Sequence, residues 1–189
     1  MRKLIESCLM SLDGVTSTPE LWAGFDDEDA AAAHEELHKF DAFIMGRVTY
    51  EHLHAMWADV SGSDYIDSIN AMPKYVASKT LSDVAWNTSL LGPDPSGAIA
   101  RLKRQPGKSL IKYGTSSFDD VLFRSALVDE LRLWIRPVVV GQGQRLFQGV
   151  DTSTLQLTLC DEQRLNNGSV ILRYQTHWPT RGFETEACS

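Results

Sequence analysis

The chain has 189 residues, 43% of them hydrophobic and 23% charged, and a formal net charge of −7. That is enough for one domain with a full core. An acidic surface repels nucleic acid and anionic membranes, although a small anionic ligand can still sit in a locally basic pocket.

The run from Leu131 to Val140 is broken by Arg132, Arg136 and Pro137 and is too short to span a bilayer. Lys3-Leu4-Ile5 is followed at once by Glu6, so no signal-peptide apolar region forms. Cys8, Cys160 and Cys188 show no close pairing and no CxxC. They are expected as reduced thiols, which points to the cytoplasm.

Lys3 to Leu9 reads as a first, central strand. Ser11-Leu12-Asp13-Gly14 opens a long loop that reaches Trp22-Ala23-Gly24-Phe25. A long loop carrying Trp and Phe is a candidate binding loop, and core burial is the alternative for Trp22. Asp26 to Phe40 is the clearest helix, with Asp26 as N-cap and Asp27, Glu28 and Asp29 in its first turn. Ala30, Ala33, Leu37 and Phe40 give it one apolar face. The same helix holds His34-Glu35-Glu36-Leu37-His38, which fits the H-E-x-x-H pattern of zinc peptidases. No obvious third ligand follows, so the pattern is read as surface His and Glu, and no metal is expected.

Asp41 to Met45 is a short apolar strand that stops at Gly46, and Arg47 to His54 follows as a helix. A helix start exposes unpaired N–H groups and the positive end of the macrodipole. Gly46 lets an anion approach, and Arg47 and Thr49 add charge and a hydroxyl, so the natural ligand is a phosphate. Lys74 to Ser78 is a third strand, ending in the cluster Ser78-Lys79-Thr80. Val84-Ala85-Trp86 is expected as a short fourth strand, and Ser96 to Lys103 as a helix. Ser109 to Tyr113 is a fifth strand; Gly114-Thr115-Ser116-Ser117 leads from it into a helix over Phe118 to Ser125.

Repeated strand, hydroxyl-rich loop and helix junctions imply a mostly parallel open sheet, with a ligand outside the strand carboxyl ends. Loops supplying N–H, hydroxyl and cationic groups suit a ligand with several phosphates. Neither G-x-G-x-x-G after a strand nor a Walker A pattern occurs. Val128 to Ile135 reads as a sixth strand, followed by a glycine-rich loop through Gly141-Gln142-Gly143. Leu155 to Leu159 and Val170 to Tyr174 are two more, joined by an Asn166-Asn167-Gly168 turn as an antiparallel hairpin. Residues 1–178 are therefore expected as one α/β domain and 179–189 as a flexible tail.

With these pieces placed, the chain resembles the dihydrofolate reductase superfamily, most of all the reductase domain of bacterial riboflavin biosynthesis and its stand-alone relatives. The resemblance runs from about Lys3 to His177. It is carried by Ser11 to Gly14, Ile44 to Glu51, Val76 to Thr80, and Leu127 to Leu131 followed by Pro137 and Gly141 to Phe147.

The resemblance implies a three-layer dihydrofolate-reductase-like fold, a homodimer, and NADPH as hydride donor to a pyrimidine- or pteridine-like substrate. Gly46, Arg47 and Thr49 would hold phosphate oxygens. Ser78, Lys79 and Thr80 would select NADPH through its 2′-phosphate, and Gly114, Thr115, Ser116 and Ser117 would receive the pyrophosphate. Many relatives carry Gly-Gly after the fifth strand, where this chain has Tyr113-Gly114.

Dihydrofolate reductases also use a helix carboxylate at the pterin. The ungapped count back from Met45-Gly46-Arg47 lands on Ala30, beside Asp29, which becomes the candidate acid; its alternative is complementing the helix dipole. Asp13 is a candidate for the substrate's ribose or base, its alternative an Asx-type turn. Trp22 is the other candidate substrate contact. A non-catalytic ligand-binding relative and a zinc peptidase are the competing readings.

Overall fold

The computed structural model describes residues 1–178, so the expected tail at 179–189 lies outside the described residues. Eight strands form one sheet: β1 (Leu4–Ser11), β2 (Phe40–Gly46), β3 (Lys74–Ala77), β4 (Thr88–Leu90), β5 (Ser109–Tyr113), β6 (Glu130–Arg136), β7 (Gln156–Arg164) and β8 (Val170–His177). Five α-helices connect them: α1 (Asp27–Leu37), α2 (Arg47–Trp57), α3 (Asp64–Ala71), α4 (Pro95–Arg104) and α5 (Phe118–Arg124). The strand order is β4-β3-β2-β5-β1-β6-β8-β7. The first six in that order run parallel, and β8 pairs antiparallel with both β6 and β7.

Parallel strands covered on both faces read as nearly continuous apolar runs. In β2, Ala42 and Ile44 pack on one face with Ile99 and Leu102 of α4 and Leu122 and Phe123 of α5. Phe43 and Met45 pack on the other face, with Leu37 of α1, Tyr50 of α2 and Ile69 of α3. Helices, sheet and helices give three layers.

The fourth strand falls at Thr88–Leu90, not at Val84 to Trp86. Trp86 and Asn87 adopt left-handed backbone, φ 62° and 52°, which a strand cannot contain. Trp86 is spent on packing: its Nε1 donates to Asn70 Oδ1 at 2.7 Å, and Lys74 Nζ lies 4.3 Å from its ring centroid. The first helix ends at Leu37, so Phe40 enters the core from β2 rather than from a helical face. Cys160 is disulfide-bonded, which corrects the expectation of three reduced thiols. Spacing along the chain could not reveal a pairing set by the fold. Cys8 is a free, buried thiol.

Candidate active site

Because β3, β2, β5, β1 and β6 are neighbours and parallel, their carboxyl ends share one rim. Every loop singled out from the sequence leaves the sheet there: 12–17 after β1, 46–49 after β2, 78–80 after β3, 114–117 after β5 and 137–143 after β6. Gly46 pairs with Ala77, so the second and third loops start side by side.

Gly46 is the N-cap of α2 and offers no side-chain cap, which leaves the first-turn N–H groups free of a competing acceptor. A Cβ at Gly46 would sit 3.1 Å from Ser116 Oγ; one at Gly114 would sit 4.0 Å from Thr49 Oγ1. The 46–49 and 114–117 segments therefore touch, as a shared phosphate cradle requires. Gly114 takes φ +68° and donates its N–H to Ser7 O at 2.9 Å. Its neighbour Tyr113 points away from the loop, edge-on to Phe43 at 4.7 Å and hydrogen-bonded to Tyr65 Oη at 3.1 Å. The glycine that the turn needs is Gly114, and Tyr113 leaves it undisturbed.

Arg47 is exposed and pairs with Glu51 one helical turn on, at 2.8 Å. Ser78 Oγ accepts from Thr80 N and Leu81 N at 3.1 and 3.0 Å, so that hydroxyl shapes its own loop. Lys79 and Thr80 are exposed beside it. Thr115 Oγ1 lies 2.7 Å from Thr16 Oγ1. Thr16 was missed in the sequence reading; only its place in the loop after the first strand pointed towards it. Ser117 is an exposed residue at the start of α5 and makes no cap bond.

Asp13 ties the rim loops together. Its carboxylate accepts from Val140 N at 3.0 Å, Gly141 N at 2.9 Å and Ser11 Oγ at 2.8 Å. The backbone donor at Val140, then Ser11 and Gly141, lower its pKa to about 2. The 12–17 and 138–146 segments are joined further by Leu12 N to Val138 O and Thr16 N to Gln144 O. Trp22 is half-buried and donates Nε1 to Ser17 O at 2.9 Å. Leu12, Leu21, Phe25, Val48 and Val139 are large, apolar and exposed along the same rim.

Asp29 is fully buried and committed at both oxygens. Oδ1 accepts from Arg136 at 2.5 Å, and Oδ2 accepts from Asp26 N and Asn167 Nδ2, each at 3.1 Å. With Asp26 it forms a reciprocal capping box at the start of α1. Sequence reading placed Asp29 at the right helix end and missed Arg136, 107 residues away.

A groove of about 680 Å³ lies at the opposite end of the sheet, where β2 and β3 begin. His34, Glu35 and His38 line it together with Phe40, Met72 and Pro73. Among the described residues no group of three or more His, Cys, Asp or Glu is placed to hold a metal ion. Among the described residues, no lysine, arginine or glycine lines this groove, in contrast to the rim.

The architecture is that of a dihydrofolate-reductase-like α/β protein. The RibD C-terminal domain family's profile matches residues 2–171, and the chain belongs to that family. An uncharacterized protein of Bacillus subtilis, YyaP, is 31% identical over 150 residues, 75% of this chain and 76% of that one. A pyrimidine reductase-like protein of Corynebacterium diphtheriae superposes with a TM-score of 0.66 at 16% identity, covering 93% of this chain and 92% of the other. Dihydrofolate reductase of Enterococcus faecalis, complexed with NADP(H), gives 0.62 at 13% identity, with 93% and 96% covered. At those identities the two structures speak for the fold. No helix among the described residues is long and apolar enough to cross a membrane.

Proposed function

We propose that this protein is an NADPH-dependent reductase of a pyrimidine- or pteridine-like heterocycle, similar to 5-amino-6-(5-phosphoribosylamino)uracil. The observation that carries the reading is the contact between the loops after β2 and β5, with the loop after β3 beginning alongside. Gly46, Arg47 and Thr49 would hold phosphate oxygens at the open start of α2. Gly114, Thr115, Ser116 and Ser117 would take the rest of the pyrophosphate. Ser78, Lys79 and Thr80 would read the 2′-phosphate. NADPH, when bound, supplies the hydride; the protein supplies position and a surface that excludes water. The apolar side chains Leu12, Trp22 and Phe25 would flank the substrate ring, and Asp13 fixes the loop that carries them. Asp29, held by Arg136, is poorly placed to give up a proton, so the proton that balances the hydride comes from water.

Calorimetric titration with NADPH and NADH tests the cofactor, and turnover against a panel of oxidised pyrimidines and pteridines tests the reaction. Tight NADPH binding with no turnover would favour the non-catalytic relative. The same proposal includes a homodimer. The β7 edge, where Leu157 and Leu159 are exposed, offers it a surface, and light scattering on the purified chain checks the mass.

A further inference from the structure

Beneath the 114–117 loop lies a buried charge cluster that no step above uses. Glu6 of β1 and Lys112 of β5 are register partners, and each is 1% exposed. Asp119 of α5 is 4% exposed. Lys112 Nζ donates to Asp119 Oδ1 at 2.7 Å and to Gly114 O at 2.5 Å, and it stands 3.7 Å from Glu6. Asp119 Oδ2 in turn accepts from Ser116 N at 2.8 Å. Two backbone groups of the loop are thus gripped from below by the cluster. Neither carboxyl oxygen of Glu6 has a hydrogen-bond partner.

We propose that Glu6, Lys112 and Asp119 are positioning residues for the 114–117 loop, and that the charge on Glu6 sets how well this loop receives a phosphate. The proposal rests on the reductase reading for its ligand. One ammonium faces two carboxylates and bonds properly to one of them. With Glu6 neutral, Lys112 and Asp119 cancel, and Lys112 stays on Gly114 O. With Glu6 ionised, the cluster carries a net negative charge under an anion site, and Lys112 is drawn off the loop towards Glu6.

Burial, chiefly, pushes Glu6 up to about 8, against the pull of Lys112 and with the help of Asp119. Burial pulls Lys112 down, yet Glu6 and Asp119 together hold it above its ordinary value. The two directions agree on a cluster in which Lys112 is charged and Glu6 is the group that changes state. The Cys8 thiol, next on the same face of β1, feels the charges of Glu6, Lys112 and Asp119. Burial drives that thiol far up, and Leu131, the partner of Glu6 on β6, is apolar. Lys103 of α4 is turned to Leu127 O and Asp129.

The test compares the full chain with its Glu6→Gln, Glu6→Met and Asp119→Asn variants. Amide exchange of the 113–118 segment, corrected for intrinsic rate, is followed between about pH 6 and 9 without ligand. NADPH affinity is measured over the same range. In the wild type, loop protection and affinity should both fall as pH rises through Glu6's titration. The fall in affinity should be roughly tenfold, the order of one unit-charge repulsion through the protein interior. Glu6→Gln should keep the low-pH values throughout, and Asp119→Asn should lose loop protection at every pH. A wild type without the pH step, or the same step in both Glu6 variants, would overturn the proposal. If NADPH binds none of the proteins, the reductase reading fails, and the exchange data alone uphold or overturn the positioning of the loop.

Discussion

Lys79 stands exposed just past the end of β3, beside a serine hydroxyl that its own loop consumes. Lys79→Ala should weaken NADPH about fivefold more than NADH, the equivalent of about 1 kcal/mol for an exposed charge pair. Equal losses by calorimetry would remove the 2′-phosphate from its role. Asp29 is the opposite case, a carboxylate with no exposure and a buried guanidinium on it. Asp29→Ala strands Arg136 and should cost about 3–5 kcal/mol, read as a lower denaturant midpoint. Asp29→Asn at moderate denaturation cost, with full turnover, would show that no proton passes through this side chain. A first-turn Asp is legible in sequence as a helix-start residue. Its guanidinium partner is not, because the pairing spans 107 positions and only the fold closes it.

Among elements, the join between the loops after β2 and β5 was readable as two separate glycine junctions. Their contact was not, since sequence order places β3 and β4 between them, whereas β2 and β5 pair directly in the sheet. The two glycines serve that join differently. Gly46 has ordinary extended backbone, but an added methyl would meet Ser116. Gly114 has room for a methyl and a left-handed φ of +68°. Gly114→Ala should therefore cost about 1–2 kcal/mol in backbone strain, seen as a drop in melting temperature. Gly46→Ala should lower melting less than that and still weaken NADPH, because its methyl, 3.1 Å from Ser116 Oγ, must push aside the loop that would hold the phosphate. Identical profiles for the two variants would contradict this division. Lys74 shows a second limit of reading by element. It opens β3, yet it is 1% exposed and donates to Ile69 O, Asn70 O and Met72 O, closing the end of α3. Alternation along a four-residue strand cannot tell a buried lysine of this kind from an exposed one.

For the molecule as a whole, the mostly parallel sheet followed from apolar strands alternating with helices and the hairpin from Asn-Gly, while the three-layer plan was implied by the family resemblance. What escaped was the ionisable content of the interior. Glu6 sits in the middle of a central strand with its oxygens unpartnered, and a lone Glu between Ile5 and Ser7 carries no sequence sign of burial. That residue makes folding itself pH-dependent. Unfolded, it titrates at its ordinary 4.5; folded, it holds its proton up to about 8. Between those values the native state binds the extra proton, so this contribution is full below 4.5 and is lost as pH rises to 8. The loss runs at up to about 1.4 kcal/mol per pH unit across that window. Glu6→Gln removes the titration, so the stability difference between variant and wild type should widen in the variant's favour from acid to pH 8. Chemical denaturation of both proteins across that range measures it directly. A difference that stays constant with pH would mean that Glu6 is ionised in the folded protein, with Lys112 shared between two carboxylates.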